Sequence, residues 1–208
     1  MPAHAALSPT QQEKAARLYR SGMSAQQIAD YFGVSIHAAY YTLRRLHVPR
    51  RSARETNAIR FEAKQLSYRL KTKLTRGEEQ LKTAAIMLYW AEGYKAGATS
   101  TVDFANSDPD MICVFWKFLS SICQVDPKRV RLHLYAYEGQ DISALKRYWG
   151  RLLKLPVHHF GKPYVKKGSV GPRGPRMARG LIHIRYSDKK LFRQMLAWID
   201  EYRAEMVG

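Results

Sequence analysis

Three serines, each followed by a short amphipathic run, cut the first 47 residues into pieces too short to be stable one at a time. Ser8 precedes "PTQQEKAARLYRSG", which stops at Gly22; Ser24 precedes "AQQIADYFG", which stops at Gly33; Ser35 ends the link "GVS" and precedes "IHAAYYTLRRLH". Serine is a favoured N-cap, Pro9 suits a first helical position, and glycine accepts the left-handed turn that closes a helix. The pattern predicts three helices over residues 9–47. Each carries an apolar stripe at helical spacing: Ala15, Leu18 and Tyr19 on the first; Ile28, Ala29 and Phe32 on the second; Ala39 and Leu43, with Val34 before them, on the third. Helices this short are marginal in isolation, so the three must bury their stripes against one another.

The stretch "SAQQIADYFGVSIHAAYYTLRRL" resembles a helix-turn-helix of the resolvase-like or homeodomain-like type, over residues 8 to 50. That resemblance implies that the third helix enters the major groove of DNA. Ser35 opens that helix, and its outward positions are Ile36, His37, Tyr40, Tyr41 and Arg44, which the resemblance places at base edges. Arg45 and His47 then fall near phosphates. The following "VPRRSARE", with Arg50, Arg51 and Arg54, reads as an extended arm along the backbone or in a minor groove.

The charge balance points the same way. The 208 residues carry 35 Lys and Arg against 17 Asp and Glu, a net charge of +18, which implies a polyanionic partner. From Arg44 to Arg76 only Glu55 and Glu62 oppose eleven Lys and Arg. With 46% hydrophobic residues the chain has the means to build a core and is not of disordered composition. A membrane is the weaker candidate for that partner, because the longest apolar run, Ala84 to Ala91, falls far short of the ~20 residues that span a bilayer. "MPAHAALSPT" lacks the basic-then-apolar order of a signal peptide. Cys113 and Cys123 fall in one expected helix, where they cannot pair, and no CxxC spacing exists. The expectation is a cytoplasmic, nucleoid-associated protein whose partner is double-stranded DNA.

Residues 51–76 read as a basic linker between a domain at 1–50 and a second at 77–208. In the second, Thr75 and Glu78 have capping-box spacing and open "RGEEQLKTAAIMLYWAEG", with Gly93 as the stop. "TSTVDFANSD" reads as a strand, Asp108 and Pro109 start a helix, and "KRVRLHLYAY" alternates strictly: Val130, Leu132, Leu134 and Ala136 on one face, Arg131, His133, Tyr135 and Tyr137 on the other. "ISALKRYWGRLLKL" is a helix, and a long loop leads to the strand "GLIHIRYS" and a last helix. A faint repeat lays "VDFANSDPDMICVFWKFL" on "IHIRYSDKKLFRQMLAWI", and Tyr89-Trp90 on Tyr148-Trp149.

"AIMLYWAEG", Ala85 to Gly93, resembles the motif of LAGLIDADG homing endonucleases, and "VDFANSDPDMI" resembles the segment that closes that family's first hairpin. The resemblance covers residues 78 to 200. It implies an α+β fold: a mixed α/β domain whose curved antiparallel sheet is backed by helices and sits over DNA. It makes Glu92 the catalytic, metal-binding acid, with Mg²⁺ as cofactor. It also places Arg131, His133, Tyr135, His183 and Arg185 on the DNA-facing side of the sheet. The loop "GKPYVKKGSVGPRGPRMAR" would follow the backbone through Lys162, Lys166, Lys167, Arg173, Arg176 and Arg179. Trp90 and Met87 depart from the family pattern, and the second half offers Arg151 where a second acid would stand, so paired acids would require a homodimer. The resemblance thus implies a sequence-specific DNA-binding protein acting as a metal-dependent endonuclease. The alternative is a non-catalytic transcriptional regulator on a degenerate LAGLIDADG fold, which has a family precedent in sporulation regulators.

Overall fold

The computed structural model describes residues 7–96, 100–167 and 177–208. The chain forms two compact units, Met1–Gln65 and Leu66–Gly208.

In the first unit, α1 (Pro9–Arg20), α2 (Ala25–Phe32) and α3 (Ile36–Arg45) match the expected helices, and α4 (Ala53–Ala63) follows. Ser8 and Ser24 each form a reciprocal capping box, with Gln11 and Gln27, and Ser35 caps α3 through Ala38 N at 3.2 Å. Gly33 closes α2 at φ 65°, a left-handed conformation that costs glycine nothing. Ala15, Ala16, Tyr19, Ala25, Ile28, Ala29, Ala39 and Leu43 make the core, with Leu18, Phe32, Val34 and Ile36 packed on its edge. Small residues dominate it, which lets short helices approach closely. Arg51 then ties the chain back to the end of α1. Its guanidinium donates to Gly22 O and Tyr19 O, both at 3.1 Å, and to Met23 O, and lies 4.0 Å from the Tyr19 ring centroid. A cation there satisfies carbonyls that the helix end leaves open.

In the second unit, α5 (Arg76–Glu92) leads through Gly93 into β1 (Val102–Asn106), then α6 (Pro109–Lys117), β2 (Val130–Tyr137), α7 (Ile142–Leu153), β3 (Tyr164–Lys166), β4 (Leu181–Tyr186) and α8 (Lys189–Val207). The sheet order is β1-β4-β2-β3. Helices cover one face. There Val102 and Phe104 of β1, the even-numbered residues of β2, and Ile182, Ile184 and Tyr186 of β4 meet Tyr89, Phe115, Trp149, Met195 and Ile199. Phe115 is the hub: its ring lies 5.7 Å from Tyr89, 4.4 Å from Phe104 and 6.1 Å from Phe118. Each such pair adds about 0.5–1.5 kcal/mol beyond the area it buries.

The fold is mixed α and β as expected, but the sheet is not antiparallel throughout. β4 pairs antiparallel with β1 and β2, whereas β3 runs parallel to β2. Parallel neighbours need a long crossover, and α7 supplies it. β3 lies in the stretch expected to be loop; three residues are too few to show a period. The expected linker 51–76 is divided between the units. Its first part forms α4. Its second part packs on the second core through Tyr68, Leu70 and Leu74, with Arg69 N and Lys71 N donating to Cys123 O and Ile122 O at 3.1 and 2.9 Å.

Candidate nucleic-acid interface

On α3 the 3.6-residue period sends Ala39 and Leu43 into the core and leaves His37, Tyr40, Tyr41, Arg44 and Arg45 exposed. Tyr40 is 37% and Tyr41 58% exposed, which is unusual for rings. Arg50 lies 5.2 Å from the Tyr40 ring centroid and Arg44 lies 6.0 Å from that of Tyr41. Arg50 and Arg54 are exposed as expected of the arm. Three expected contact residues have other work. Ile36 packs on the core, the Ser35 hydroxyl caps α3, and Arg51 is held in the α1 clamp. The partners of Ile36 and Arg51 come from distant chain, which a helix or arm position alone does not reveal, whereas Ser35 acts within its own helix. Residues the expected interface omitted, Tyr19, Val48 and Pro49, line the same hollow as Tyr40 and Arg44. The apolar "VP" after α3 was the signal for two of them.

On the second unit, register alone fixes which side chains share the uncovered sheet face. Asp103 pairs across β4 Arg185 to β2 Arg131, and Ala105 across His183 to His133. Tyr135 joins Tyr164, with ring centroids 5.1 Å apart, and stacks on His183 at 4.7 Å. Arg131, His133, Tyr135, His183 and Arg185 therefore stand together, as expected, and Tyr164 is an addition. Lys162, Lys166 and Lys167 are exposed along the β3 edge, and Arg179 is exposed with its guanidinium 4.7 Å from the Tyr148 ring centroid. Arg173 and Arg176 lie outside the described residues.

Asp103 organises this face. It is 7% exposed and accepts from His183 Nδ1 at 2.8 Å and from Arg185 Nε at 2.7 Å. Burial alone would raise its pKa; the His183 hydrogen bond and charge and the Arg185 guanidinium outweigh that and hold the carboxyl below its ordinary value. His133 beside them is pushed down, by burial first and by the positive charge of Arg185 and His183 second.

Glu92 is exposed at the C-terminal end of α5. Mg²⁺ keeps several waters and is held through one or two carboxylates together with phosphate oxygens. Among the described residues no three His, Cys, Asp or Glu stand together as a metal-holding group. Asp103 is committed to His183 and Arg185, and Asp141 caps α7 through Ala144 N at 2.9 Å. Gly93 owes its place to packing. It is buried, bridges to Phe104, and a Cβ there would lie 2.5 Å from Tyr89 O and against the Tyr89 ring.

No helix among the described residues is long and apolar enough to cross a membrane. No family model, curated protein or solved structure matches the chain.

Proposed function

We propose that this is a sequence-specific double-stranded DNA-binding protein that works without cleaving its target, as a transcriptional regulator does. The observation that carries the reading is the outward face of α3. His37, Tyr40, Tyr41 and Arg44 stand exposed in one row on a helix whose other side is locked into a core, and Arg45 and Arg50 flank them. A rigid helix with a polar, cationic ridge suits a major groove, where arginine reads guanine by two hydrogen bonds. The net charge of +18 and the basic, aromatic sheet face support a second area of contact on the other unit, mainly with phosphates. The regulator reading is preferred to the endonuclease because the α3 face, the net charge and the sheet face all support binding, whereas cleavage rests on Glu92 alone.

Fluorescence anisotropy with selected and random duplexes tests this. Arg44→Ala should cost about 1–3 kcal/mol on the preferred duplex and flatten the preference, whereas Lys166→Ala should weaken all duplexes alike and lower the log–log salt slope by about 0.9. Equal losses on every duplex for both variants would refute sequence reading by α3. Nicking of supercoiled DNA with Mg²⁺, lost in Glu92→Gln, would overturn the non-catalytic part.

A further inference from the structure

Between the outward side of α3 and the returning segment 47–50 lies a hollow of about 780 Å³. That is within the ~300–1,000 Å³ of small-ligand sites. Its floor is apolar and fixed: Tyr19, Leu43 and Val48 are 7%, 4% and 7% exposed. Its walls are the rings of Tyr40 and Tyr41, each with an arginine near it, Arg50 at 5.2 Å and Arg44 at 6.0 Å. No acid is among its described lining residues.

An apolar floor, two accessible rings and two guanidinium groups make a site for a flat heterocycle that carries an anion. The ring faces can stack a base, and the arginines can take its phosphate. A base inside a duplex presents only its edges to α3, so a base that stacks on Tyr40 or Tyr41 must first leave its own stack. We propose that this hollow binds a single unstacked nucleotide. The nucleotide is either free in solution, acting as an effector on the α3 face, or displaced from bound DNA. The second source rests on the DNA-binding reading, and the first does not.

The test uses the full chain and three probes. They are adenosine 5′-monophosphate by titration calorimetry, a fully paired mixed-sequence duplex by anisotropy, and the same duplex with one bulged nucleotide. A bulge lowers the cost of displacing a base. Either of two results supports the proposal. Adenosine monophosphate binds saturably and is lost in Tyr40→Ala/Tyr41→Ala, which identifies a free nucleotide. Alternatively the bulged duplex binds at least tenfold tighter than the paired one and the double variant removes that preference, which identifies a DNA nucleotide. Tyr40→Phe/Tyr41→Phe should keep either signal, because it keeps the rings, and the melting temperatures of both variants check that they fold. If the monophosphate does not bind and both duplexes bind equally, the hollow is no nucleotide site and DNA binding stands. If no probe binds at all, both proposals fall.

Discussion

Asp103 shows how much one side chain can depend on its neighbours in space. Against 35 Lys and Arg the chain has 17 acids, and this one is buried against His183 and Arg185, which the sheet brings to it. Its pKa is depressed in the folded state. The stability it supplies is therefore complete above the ordinary carboxylate value of about 3.9 and is lost as pH falls through the lower folded value. His133 is also depressed, so folding favours its neutral form, and protonation below about pH 6.5 favours the unfolded chain. Both groups make acid destabilising, in separate windows. Urea denaturation should show a slope setting in below pH 6.5 that His133→Gln flattens, and a second below pH 4 that Asp103→Asn flattens. At neutral pH Asp103→Asn should cost about 1–3 kcal/mol. It leaves Arg185 without its counter-charge and weakens the His183 hydrogen bond, but Arg185 is one-third exposed and water screens part of the loss.

At the scale of elements the faint internal repeat acquires physical content. Asp108 accepts from Asp110 N and Met111 N at the start of α6, and Asp188 accepts from Lys190 N and Leu191 N at the start of α8. In both copies a strand ends, an aspartate caps, and a helix returns over the core; the two strands, β1 and β4, are antiparallel partners. Asp188 has further contacts, since its second oxygen accepts from Ser67 at 2.6 Å, which pins the segment before α5, and lies 4.0 Å from the Arg129 guanidinium. Asp108→Ala should cost the second unit about 0.5–2 kcal/mol, the loss of a cap, and Asp188→Ala about 1 kcal/mol more, as read from denaturation midpoints. Equal costs would remove the special role given to Ser67. Gly93→Ala should destabilise the second unit more than Gly77→Ala, because a Cβ at Gly77 meets nothing within 4 Å.

At the scale of the molecule, the division into Met1–Gln65 and Leu66–Gly208 gives each part its own core. Phe115→Ala removes the aromatic hub of the second core and should cost about 3–5 kcal/mol there. Differential scanning calorimetry should then show one transition lowered by many degrees and the other unmoved. A single transition that shifts as a whole would mean the units unfold together. The net charge of +18 acts at this scale too, as a long-range attraction for polyanions that salt weakens.

Local signals determined what local physics controls. The serine caps, Gly33, the Thr75–Glu78 box and the alternation over Val130 to Tyr137 fix helix starts, stops and strand faces through contacts within a few residues, and these were legible in order along the chain. So was the exposed row on α3. Only the tertiary structure decided what depends on distant partners. It runs β3 parallel to β2, because pairing direction is set by how the α7 crossover returns and not by the three residues of the strand. It spends Arg51 on the end of α1 and Ile36 on the core, and it sets Asp103 beside two residues some eighty positions away. An arginine fifty residues into a basic chain looks like every other arginine until the carbonyls that hold it are in place.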